Sequence, residues 1–141
     1  MRRTLRFVAS IVLTLACLPA LAADLAKAAA ASPQAKVYEA HVKAMMAADY
    51  QGFRATMSKT ALAQMDKQSK DMGLDPKKMM EMMKAMAATD LKFTDVKVDG
   101  AKATLMATGK MGGENNWGTI SLVDEGGQWK IETESWTNTK K

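Results

Sequence analysis

The chain is poor in the residues that most often carry chemistry: one cysteine, one histidine and three prolines in 141 residues, with aromatics at 6%. The lone cysteine, Cys17, sits near the amino terminus, so an internal disulfide and a Cys/His zinc cluster are both excluded. A single histidine, His41, excludes metal sites built from several imidazoles. No phosphate-cradling glycine loop and no nucleophile motif occurs. The longest apolar run, Phe7 to Leu18, is short of the ~20 residues that span a bilayer.

That run belongs to a three-part pattern. Arg2, Arg3 and Arg6 precede or open it, and Ala20-Leu21-Ala22 closes it with small residues at the first and third positions. This is the layout of a secretory signal peptide over residues 1–22, with cleavage expected after Ala22 and a periplasmic or secreted product. Thr14-Leu15-Ala16-Cys17 approximates a lipid-attachment box, but threonine stands where leucine is usual. The A-x-A site that follows reads against a lipoprotein. Removing the signal takes away the only thiol and three of the 20 basic residues but none of the 15 acidic ones, leaving 119 residues with a net charge near +2. The remaining lysines are dispersed among acids, so neither nucleic acid nor, after cleavage, a membrane is an expected partner. The length suits one core and one domain.

Residues 23–33 are alanine-rich without apolar periodicity and read as a flexible tether before a single domain over 34–138. From Gln34 to Ala48, Val37, His41, Ala44 and Ala48 recur at helical spacing, flanked by Tyr38 and Met45. Asp49 to Phe53 reads as an interruption. Ser58 can cap a second helix through Leu62, Met65 and Met72, ended by Gly73. Asp75 and Pro76 mark the start of a third, which carries Met79, Met82, Met83 and Met86 on one face and ends near Ala88. The pattern then turns strand-like in four segments: 91–98, 101–108, 117–124 and 128–136. Asp99-Gly100 is the expected first hairpin turn, residues 110–116 a looser connection, and Glu125-Gly126-Gly127 the last. Trp136 lies an odd number of residues from Trp129 and Ile131, which predicts a bulge or a strand covered on both faces. The expected fold is α+β: three N-terminal helices packed on a curved, cone-like four-stranded antiparallel sheet.

Three phrases, Ala47-Ala48-Asp49-Tyr50-Gln51-Gly52-Phe53, Gly118-Thr119-Ile120-Ser121-Leu122-Val123, and Gly127-Gln128-Trp129-Lys130-Ile131 with Glu134-Ser135-Trp136, together with the order of elements, resemble the nuclear transport factor two-like superfamily. The likeness is to its small secreted bacterial members of unassigned function. It implies a sheet bent around a helix-lined hollow that holds a small ligand, a catalytic site or only side chains. Isomerase and dehydratase members place an acid or a histidine there, and no set of polar residues here aligns with theirs. Fold alone does not choose among these roles.

Four residues are candidates for lining a pocket between the first helix and the sheet: Tyr38, His41, Trp117 and Trp129. Histidine titrates near neutrality and can act as a general base if a carboxylate orients it. Tryptophans can stack on a ring or simply fill a core. Glu132 and Glu134 read as two solvated acids on one strand face. The 13 methionines are the most unusual feature. Spaced at three and four, Met79, Met82, Met83 and Met86 can be core packing, a soft-metal site for Cu(I) or Ag(I), or an adaptable partner surface. Exposure of Met80 with Met83 would favour the last. The sequence therefore points to an exported, non-enzymatic binding protein for a small apolar ligand or a protein partner. A methionine-based copper binder and a small pocket enzyme using His41 as general base are the alternatives.

Overall fold

The computed structural model of the protein describes residues 18–139; residues 1–17, most of the expected signal peptide, lie outside the described residues. The fold is α+β, as expected, but among the described residues there are five helices where three were expected: α1 (Leu18–Ala31), α2 (Pro33–Met46), α3 (Tyr50–Ala55), α4 (Lys59–Asp71) and α5 (Pro76–Met86). Four strands follow, β1 (Thr89–Asp99), β2 (Lys102–Met111), β3 (Glu114–Asp124) and β4 (Trp129–Thr137), paired in sequence order as an open antiparallel meander.

Both additional helices come from segments without amphipathic contrast. The alanine-rich stretch read as a tether is helical, and α1 lies against β1. Alanine has the highest helix propensity and no bulk to hold a helix away from a sheet, and Ala29 is fully buried. The segment read as an interruption is α3: the Asp49 side chain caps it by accepting from the Gly52 N–H at 2.9 Å.

The remaining helix boundaries follow local chemistry. Ser32, Ser58 and Asp75 cap α2, α4 and α5 through side-chain oxygens that accept from the N–H three residues on. Helices α2 and α4 both end in a left-handed residue closed by paired backbone bonds. After α4 that residue is Gly73 (φ 62); after α2 it is Ala48 (φ 54). The α2 face turned inward is Gln34, Ala35, Tyr38, His41, Ala44 and Met45, rotated by about one residue from the expected stripe, so that Ala48 is exposed.

In the sheet, Ala103, Leu105 and Ala107 on β2 and Gly118, Ile120 and Leu122 on β3 alternate inward. Leu105, Ile120 and Leu122 are almost completely buried, each contributing about 1.5–3 kcal/mol. The first hairpin turns at Gly100-Ala101, one residue later than expected, because Asp99 pairs with Lys102. Only the first loop position, Gly100, has positive φ. The expected loose connection is instead a tight turn at Gly112-Gly113, both with positive φ, between paired Met111 and Glu114.

The expected bulge is present on β4. Ser121 pairs with Thr133 and Leu122 with Ile131, so Glu132 is the extra residue. Its insertion reverses the alternation beyond it. Ile131 faces Leu122, and after the bulge Glu134 faces Ile120 and Trp136 faces Gly118, all three opposite inward positions of β3. Two hydrophobic clusters result. One joins α1 and α2 to the sheet through Ala29, Tyr38, Phe93 and Ile131; the other joins α2 to α3, α4 and α5 through Met45, Phe53, Met65, Met79 and Met80.

Candidate functional site

The bulge on β4 and the inward face of α2 bring three polar groups together. The Tyr38 hydroxyl donates to Glu134 Oε2 at 2.7 Å and accepts from Trp136 Nε1 at 3.3 Å. Burial, reinforced by the neighbouring Glu134 carboxylate, pushes the Tyr38 phenol well above its ordinary range, so it stays a neutral donor. The Glu134 carboxylate has one oxygen engaged by Tyr38 and acceptor capacity left over. These three residues line a cavity of about 290 Å³ between α2, α5 and the sheet, whose other walls include Met45, Phe53, Met83, Met86 and Met111.

Of the four residues expected to line one pocket, only Tyr38 lies in this cavity. His41 is buried behind it, 3% exposed, between Tyr38 (ring centroids 5.9 Å apart) and Phe53 (4.4 Å). Its Nδ1 lies 2.7 Å from Thr56 Oγ1. The Thr56 hydroxyl donates to the Phe53 carbonyl at 2.6 Å, so it accepts from His41, which fixes the Nδ1–H tautomer. Burial lowers the His41 pKa from 6.5 to about 4, leaving it neutral near pH 7 with a hydroxyl where a general base would need an orienting carboxylate. Trp117 lines a separate depression with Asp90, Lys92 and Lys110. Trp129 lines a third, with Pro33, Lys36 and Val37.

The methionine stripe is also redistributed. Met79 and Met80 are buried and Met83 is half-buried, whereas Met82 and Met86 are exposed. Met80, expected at the edge of the stripe and offered as a marker of an exposed face, is one of the most buried side chains. Met79, Met82, Met83 and Met86 do share one hollow, to which α4 adds Met65 and its C-cap residue Met72. His41 does not line it. Among the described residues, no three His, Cys, Asp or Glu side chains converge as a metal-binding group, and no helix is long and apolar enough to cross a membrane.

Glu134 and Trp136 are the site residues that sequence reasoning missed. The signal was available in the odd spacing of Trp136, since a bulge that turns Trp136 toward α2 brings Glu134 to the same face, where Glu134 stays solvent-exposed, as expected of it. No protein-family model matches the chain, and no curated protein does.

Proposed function

We propose that the protein is an exported, non-enzymatic binding protein whose site is the cavity walled by Tyr38, Glu134 and Trp136. It takes a small ligand that is apolar over most of its body and carries one hydroxyl or amine donor. The observation that carries this reading is the hydrogen-bonded trio set into a wall otherwise made of methionine, phenylalanine and alanine. A few placed polar groups in an apolar concavity orient a ligand, and this cavity is at the small end of the ~300–1,000 Å³ range of ligand pockets. The helices followed by a four-stranded meander are consistent with the resemblance to the nuclear transport factor two-like superfamily, whose hollow holds a small ligand, a catalytic site or only side chains. The buried, neutral His41 hydrogen-bonded to Thr56 favours binding over base catalysis. The basic, apolar and A-x-A segments of residues 1–22 support export.

The test is native mass spectrometry of the protein recovered after export. A start at Ala23 and a co-purifying small organic molecule are expected. Glu134→Gln, which replaces an acceptor oxygen with a donor amide, and Ala87→Phe, which fills the cavity wall, should each lower occupancy at least tenfold. Unchanged occupancy in both variants would place the ligand elsewhere and overturn this reading.

A further inference from the structure

The α4–α5 hairpin carries a second hollow, of about 200 Å³, whose lining is dominated by thioethers: Met65, Met72, Met79, Met82, Met83 and Met86. Core packing accounts for Met65 and Met79, which are buried, but not for Met72, Met82 and Met86, which are 54%, 47% and 59% exposed. Nor does helix formation require methionine, since leucine has the same helix propensity. Residues 59–86 nonetheless contain seven methionines and two leucines. The property methionine has and leucine lacks is a soft sulfur lone pair, which suits Cu(I) and Ag(I) and discriminates against hard cations.

A second, independent observation gives the charge of the ligand. The neighbouring cleft between α4 and β4 shares Met65, Gln68, Met72 and Met83 with the hollow. That cleft brings up Asp71, Glu132 and Glu134 against one lysine, Lys67, itself paired with Asp71 at 3.6 Å. An apolar thioether surface opening onto an excess of carboxylates favours a cation over an anion or a neutral apolar chain.

We propose that this hollow is a binding site for a monovalent soft cation, Cu(I) or Ag(I), held by thioethers from both helices with Met72, Met82 and Met86 supplying the accessible sulfurs. Binding is simple coordination of the reduced ion by neutral ligands, with no electron or proton transferred. Because the exposed sulfurs are on opposite arms of the hairpin, the ion ties α4 to α5.

The probe is Ag(I) as its nitrate, and anaerobic Cu(I) in competition with a chromogenic Cu(I) chelator, added to the cysteine-free chain from Ala23. Saturable binding of one ion is expected, with the Met72, Met82 and Met86 methyl resonances shifted on Ag(I) addition. The triple variant Met72→Leu, Met82→Leu, Met86→Leu changes only exposed positions and should keep its circular dichroism while losing at least tenfold in affinity. The control Met46→Leu, an exposed methionine outside the hollow, should bind as the parent does. Equal affinity in the triple variant and the parent, or shifts spread evenly over all methionine methyls, would overturn the proposal. Met83 and Met86 line both hollows and Glu134 also lines the acidic cleft, so the two readings are separated by variants confined to one site: Met72→Leu with Met82→Leu lowers Ag(I) affinity and leaves small-molecule occupancy unchanged, and Tyr38→Phe does the reverse.

Discussion

The indole of Trp136 lies directly over Gly118: a β-carbon built on that glycine would come within 2.8 Å of two ring carbons of the indole. Gly118 is paired with Trp136 across β3 and β4, and its φ is ordinary for a strand, so the requirement is for space and not for conformational freedom. Gly118→Ala must therefore displace the ring and with it the Nε1–H bond to Tyr38. A loss of about 1–3 kcal/mol is expected, measured by urea denaturation, with a change in native tryptophan emission. Emission and stability like those of the parent would show that the ring is free to move.

Tyr38→Phe removes the hydroxyl that joins Glu134 to Trp136. The ring remains and its edge contact with Phe93, 6.3 Å between centroids, is unaffected, so only polar terms are lost. The carboxylate can turn to water. The half-buried indole N–H loses its partner, and a destabilisation of about 1 kcal/mol is expected in the same denaturation assay.

The two helices that end in left-handed residues provide an internal control. Gly73 after α4 adopts φ 62 without a steric penalty, whereas Ala48 after α2 holds φ 54 with a β-carbon. Both termini make the same backbone bonds: Leu74 N–H to Ser69 O after α4 and Asp49 N–H to Ala44 O after α2, each at 2.9 Å. Ala48→Gly should therefore stabilise the protein by about 1 kcal/mol, read as a raised midpoint with an unchanged denaturant slope. Gly73→Ala should cost a similar amount.

His41 predicts a pH dependence with a definite sign. Its pKa is about 4 in the folded protein against 6.5 when exposed, so the unfolded chain binds the extra proton first. The stability contributed by neutral, buried His41 is fully present above pH 6.5 and is lost as pH falls toward 4, in total about 3 kcal/mol. His41→Leu should flatten the stability profile between pH 4 and 6.5 while leaving carboxylate titration at lower pH in place. A profile over that window as steep as the parent's would assign the slope to other groups.

Local chemistry made much of the fold legible. Ser58, Gly73, Asp75 and Pro76 each act within one turn of themselves, and each stands where the sequence put it. What depends on contrast or on register was harder. Helix α5 presents methionine on so much of its circumference that no pattern separates Met80, which is buried, from Met82, which is exposed. The alanines of α1 offer no polar face to orient. For the candidate site, Tyr38 could be read from the periodicity of α2, but Glu134 could be placed only after locating the bulge at Glu132, one extra residue that exchanges the two faces of β4. An indole can stack on a ring-shaped ligand or fill a core, and neither capacity says which side of a sheet Trp117 or Trp129 serves.

The division of the interior into two clusters has a consequence for cooperativity. Phe93 and Tyr38 belong to the sheet-side cluster and Phe53 to the helical one, and His41 is the ring between them. Helices α4 and α5 rest on the rest of the molecule mainly through the second cluster, to which α4 adds the Arg54–Asp66 ion pair and a bond from the Lys59 N–H to Glu125, while β2 and β3 are hydrogen-bonded on both sides. Backbone amides of α4 and α5 should thus exchange with solvent through partial openings that leave the meander intact, and amides of β2 and β3 only on global unfolding. A charge on His41 would fall at the seam between these units, so acid should release the helical one first.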